Sequence, residues 1–73
     1  MPNRAYHAVP DEDGWAVKRE GNKRATSRHE TQKDAWDAAR EWARKHETSA
    51  YKHGMDGTIK EERSYGSESP RPG

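Results

Sequence analysis

Seventy-three residues carry 14 lysines and arginines against 13 aspartates and glutamates, a net charge of +1. That length makes one domain at most, and that balance excludes both a self-repelling disordered chain and a polyanion binder recognisable by charge excess alone. Cysteine is absent, so neither a disulfide nor a thiolate metal site staples the fold. No apolar run reaches signal-peptide or membrane-spanning length, so a cytoplasmic protein with no membrane partner is expected.

Leu and Phe are missing, and Val9, Val17 and Ile59 are the only branched aliphatics. Three Trp, three Tyr and the alanines must therefore supply the core. The segment from Ala5 to Pro10 alternates and stops at proline. Asp11-Glu12-Asp13-Gly14 reads as a turn. Trp15 to Glu20 alternates with period two, as a strand with one buried face does. Gly21-Asn22-Lys23 then turns the chain into a returning strand from Arg24 to Glu30.

Two hairpin registers compete. A two-residue Gly21-Asn22 loop sets Trp15 opposite Arg28 and Val17 opposite Thr26. A three-residue loop sets Trp15 opposite His29 and Val17 opposite Ser27, with Ala25 on the same face. A one-residue slip exchanges the two faces of a strand. The second register is preferred because it keeps arginine away from Trp15.

Thr31-Gln32-Lys33-Asp34 opens a helix, with Thr31 as the N-cap and Asp34 in the first turn. Ala35, Ala38, Ala39, Trp42 and Ala43 share one face, with Trp36 at its margin, and Trp42 is expected to be the main anchor. Ser49 to His53 reads as a short strand, Gly54 to Gly57 as a turn, and Thr58 to Tyr65 as a last strand that buries Ile59. Gly66 to Gly73 has nothing to bury and is expected to be a disordered tail. The predicted fold class is α+β: one domain over residues 1–65, order β-β-β-α-β-β, a small antiparallel sheet with one helix on one face. Trp15, Val17, Ala39, Trp42, Ala43 and Ile59 are its expected core.

His7-Ala8-Val9-Pro10, Gly14-Trp15-Ala16-Val17-Lys18, Thr31 with Ala35, Ala39 and Ala43, and His53-Gly54-Met55-Asp56-Gly57-Thr58-Ile59 form an ordered set. In that set the chain resembles the bacterial family called domain of unknown function 2188, over nearly its whole length apart from the tail. The resemblance implies a compact α+β domain and carries over no catalytic residue.

Chemistry-bearing motifs are scarce. His7, His29, His46 and His53 include no i, i+4 helical pair and no recognised ligand spacing, so no metal site is expected; His7 and His29 could meet only if the strand order allows it. Asp11, Glu12 and Asp13 lack the rest of a calcium loop. Ser27, Thr48 and Ser49 have no nucleophile-elbow context, and there is no phosphate-cradling glycine loop. No catalytic residue and no cofactor are expected, and the chain reads as a non-enzymatic binding module.

One charge pattern follows from the preferred register. Lys18, Arg24 and Arg28, with Thr26 between the last two, fall on the sheet face away from the helix. Arg19 and Lys23 lie nearby, with Glu20 the only acid. Such a face fits weak, non-specific nucleic-acid binding. The rival reading is a protein-interaction module or homodimer, using the open face and the aromatics Tyr6, Trp36, Tyr51 and Tyr65.

Overall fold

The computed structural model describes residues 4–22 and 24–65; the expected tail from Gly66 lies outside the described residues. Five strands and one helix follow in the order β1 (Tyr6–Asp11), β2 (Gly14–Arg19), β3 (Ala25–His29), α1 (Gln32–Lys45), β4 (Ser49–His53) and β5 (Ile59–Ser64). The turn between β1 and β2 is only Glu12-Asp13, because Asp11 and Gly14 already pair. A Cβ on Gly14 would lie 2.6 Å from the carbonyl oxygen of His29, so close approach of β3 requires glycine there.

The β2–β3 register pairs Trp15 with His29 and Val17 with Ser27, as the three-residue loop predicts. Beyond Val17 the ladder shifts, and Lys18 pairs with Ala25. Thr26 is therefore left over at a β-bulge. Ala25 sits beside Lys18 on the open face and not on the expected face of Trp15 and Val17. The strands end at Arg19 and Ala25, a longer connection than expected.

Strand order is β3-β2-β1-β4-β5, and β1 runs parallel to β4. The sheet is mixed, which corrects the antiparallel expectation. The reason lies in lengths. The 14-residue helix spans about 21 Å at 1.5 Å per residue, comparable to a strand of five or six residues. It therefore carries the chain back to the end at which β3 began, and β4 must run parallel to β3 and so to β1.

Thr31 caps the helix, its hydroxyl accepting from the Asp34 amide at 3.1 Å. At the other end Glu47 takes a left-handed conformation, φ 55, and the Thr48 amide donates to the Ala43 carbonyl, which closes the last turn. The helix lies on the sheet face formed by Tyr6, Ala8, Val17 and Ala50, and meets it with Ala35, Trp36, Ala39 and Ala43. Val17, Ala39 and Ala43 are buried as expected.

Trp15 is only partly buried, packed against this core, and two further expected anchors are not buried either. Trp42 is only partly buried, stacked on Tyr6 at 5.9 Å, while Trp36 is 7 % exposed and fills the core. Ile59 is 56 % exposed. It lies on the edge strand β5, where a register shift after Lys52 sets it opposite His53 and breaks the alternation that would have turned it inward. Tyr6, at 4 % exposure, is also core, so neither it nor Trp36 is available to an interaction surface.

Candidate functional site

Helix-facing Ala8 and Val17 pair with each other, so the alternate positions on β1 and β2 point to the open face. Lys18 is one of them, and Arg28 reaches the same side because it pairs with Ala16. Arg24 stands just before β3. Lys18, Arg24 and Arg28 line one shallow depression of about 330 Å³ together with Asp11 and Ala25. Three of the four sequence-predicted residues are thus brought together. Thr26, displaced at the bulge, is not part of the lining.

Asp11 changes the electrostatics. Its carboxylate lies 3.5 Å from the Arg28 guanidinium, so Glu20 is not the sole acid near the cluster, and the depression carries a net +2. The sequence assigned Asp11 to a turn, yet pairing with Gly14 holds it in β1, across β2 from Arg28. An acid at a strand end, one strand away from a cation, was the available signal.

The other half of the open face is built from β1 and β4. Parallel pairing sets His7 opposite Tyr51, and the two rings stack at 5.0 Å. His53, two residues along β4, brings its Nε2 to 2.9 Å from His7 Nδ1, while its Nδ1 lies 2.9 Å from the Gly57 carbonyl oxygen. Glu20 Oε2 stands 3.9 Å from His7 Nε2. Burial first, then the neighbouring His53, holds His7 below its ordinary imidazole range, with Glu20 pulling the other way. Burial, followed by Glu62, pushes the Tyr51 phenol up. Glu20 and Glu62 therefore border this half, and the Lys18, Arg24 and Arg28 cluster lies on the β2–β3 side.

His7 does not meet His29. Strand β2 lies between β1 and β3, and His29 instead bonds Ser27 Oγ at 2.8 Å. The His7–His53 contact was invisible in the sequence because it depends on β1 and β4 being neighbours. Among the described residues no group of three or more His, Cys, Asp or Glu side chains is arranged to hold a metal ion, and no helix is long and apolar enough to cross a membrane.

Comparison with known proteins gives two matches. The model of a family described as "Uncharacterized protein conserved in bacteria (DUF2188)" matches residues 6–65. The chain is also similar to the uncharacterized protein YdaT of Bacillus subtilis (strain 168), 37% identical over 67 residues, which is 92% of this chain and 45% of that protein. It thus spans less than half the length of the curated relative it matches. No solved structure matches it significantly.

Proposed function

This chain belongs to the DUF2188 family of bacterial proteins, and on that premise we propose that it is a small non-enzymatic binding module making weak, sequence-nonspecific contact with nucleic-acid phosphates through its open sheet face. The observation that supports this reading is the convergence of Lys18, Arg24 and Arg28 on one depression, in a chain whose total charge is only +1. Phosphate contacts of this kind position a backbone and read no bases. Asp11, paired with Arg28, offsets one cation, and Glu20 and Glu62 limit any extension of the contact toward β4. A cytoplasmic location goes with this reading.

Fluorescence anisotropy of a labelled DNA duplex, measured from low salt upward, tests it. Two effective phosphate contacts give a log–log salt slope of about −1.8, at ~0.9 per neutralised phosphate. Asp11→Asn releases Arg28 and steepens the slope to about −2.7. Replacing Arg24 and Arg28 together by alanine abolishes binding and leaves the melting temperature unchanged, because both side chains are exposed. Absence of binding by the parent at low salt overturns the proposal.

The second reading, a protein-interaction or self-association module, then takes its place. Its support is now Met55, 77 % exposed, and Ile59, 56 % exposed, at one end of the β4–β5 pair. Sedimentation of Met55→Ser and Ile59→Thr variants beside the parent tests it; identical monomers throughout would remove self-association.

A further inference from the structure

The open face holds a second arrangement beside the basic depression. We infer that His7 Nδ1 and His53 Nε2 form a two-histidine site for one divalent transition ion of the kind imidazole prefers, such as zinc, with water completing its coordination.

The tautomers follow from the bonds. A backbone carbonyl only accepts, so the Gly57 oxygen 2.9 Å from His53 Nδ1 keeps the proton on that nitrogen. In the neutral ring His53 Nε2 is then a bare lone pair, aimed at His7 Nδ1, 2.9 Å away. One proton, on His7 Nδ1, fills the gap between the two rings. An ion takes its place once that proton moves to His7 Nε2, where Glu20 Oε2 waits at 3.9 Å. The ring stays neutral, its proton shifts from one nitrogen to the other, and none is released. Zinc–nitrogen bonds of about 2.0–2.1 Å at a tetrahedral angle set the nitrogens about 3.4 Å apart, roughly half an ångström beyond the present separation.

The surroundings match what such a site needs. Metal-bound imidazoles are held by an outer acceptor on the second nitrogen, a carbonyl or a carboxylate. Here Gly57 supplies the first, and Glu20 Oε2, 3.9 Å from His7 Nε2, becomes the second by closing about 1 Å on that nitrogen. His53 is further fixed because its own carbonyl accepts from Gln32 Nε2 at 3.0 Å, and the loop that carries Gly57 is closed by the Gly54 amide donating to the Thr58 carbonyl at 2.8 Å. His7 is steadied by the Tyr51 ring. Lys18, opposite His7 on the same face, works against a cation and keeps affinity modest. With no third protein ligand among the described residues, the ion retains open positions for water or an external ligand, which closed four-ligand structural sites do not.

The test is a titration of the full chain, freed of metal with chelator, with zinc chloride, followed by long-range proton–nitrogen NMR spectra of the imidazole rings. One equivalent of zinc is expected to convert His7 from the Nδ1–H to the Nε2–H form while His53 keeps its Nδ1 proton. His7→Gln and His53→Gln each abolish binding, Glu20→Gln weakens it about tenfold, and His29→Gln leaves it unchanged. Zinc that perturbs His29 or His46 while His7 remains Nδ1–H overturns the inference, as does undiminished binding in both glutamine variants. Should those variants not fold, the tautomer of His7 in the zinc-treated parent decides alone, and an unchanged ring refutes the site.

Discussion

Replacing Trp36 by alanine removes the largest side chain that the helix buries. Trp36 is 7 % exposed, lies within the cluster of Tyr6, Ala8, Val17 and Ala50, and has the Arg40 guanidinium at 5.5 Å and the Lys52 ammonium at 5.9 Å over its ring. Its neighbours are mostly alanines with no rotamers to swing into the void, so relaxation is limited and a loss of about 3–5 kcal/mol is expected. A domain of this size has a total stability of about 4–11 kcal/mol at 0.05–0.15 kcal/mol per residue, so the variant stands near the edge of folding. Trp42→Ala should cost distinctly less, because that ring is partly in solvent and leaves a surface notch beside Ala38, Glu41 and Lys45. Trp36→Phe should recover most of the loss. Urea unfolding followed by helical circular dichroism gives all three midpoints. If Trp42→Ala unfolds at lower urea than Trp36→Ala, the assignment of the core to the Trp36 side of the helix is wrong.

Thr31→Ala should lower stability by about 1 kcal/mol, since the Asp34 amide loses its hydroxyl acceptor; an unchanged urea midpoint would contradict the cap. Gly14→Ala forces a Cβ to 2.6 Å from the His29 carbonyl, so a loss of about 1–3 kcal/mol is expected, and a variant that melts with the parent would show β3 to be free to retreat. On acidification, Glu61 is held below its ordinary 4.5 chiefly by the Lys52 hydrogen bond, and Asp56 below its ordinary 3.8 by Thr58. Their contributions are fully present above those ordinary values and are lost as pH falls through the lower folded-state ones. Lys52→Gln should therefore flatten part of the acid limb of a stability–pH curve, and an unaltered limb would refute the pairing.

Where local chemistry decides, the sequence was legible. Keeping arginine away from Trp15 selected the register with the Trp15–His29 and Val17–Ser27 pairs, and Thr31 marked the helix start to the residue. The mixed sheet was missed although helix length alone returns the chain to the end where β3 begins. The choice between Trp36 and Trp42 was not available from periodicity. At 100° per residue the two stand about 60° to either side of Ala39, equally placed on a helical wheel, and only the strands beneath decide which is covered. The site shows the same division. Lys18, Arg24 and Arg28 followed from a local hairpin, whereas Asp11 and the His7–His53 contact depend on neighbours across the sheet. Thr26 stands outside the lining of the depression because of a bulge, which, unlike a turn, leaves no residue signature here.

The parallel seam between β1 and β4 has a consequence for how the domain comes into being. The first strand of the chain lies at the centre of the sheet, with one edge satisfied at once by its hairpin partner β2 and the other reserved for Ala50 to Lys52. During synthesis that second edge stays bare until the helix and β4 have emerged, and closing so long a loop is slow relative to hairpin formation. In the interval β1 offers a strand edge, Tyr6 and Ala8 included, to any other nascent copy. Slowing translation between His29 and Ser49 should lengthen that interval and send more chains into aggregates, leaving the stability of those that do fold unaltered.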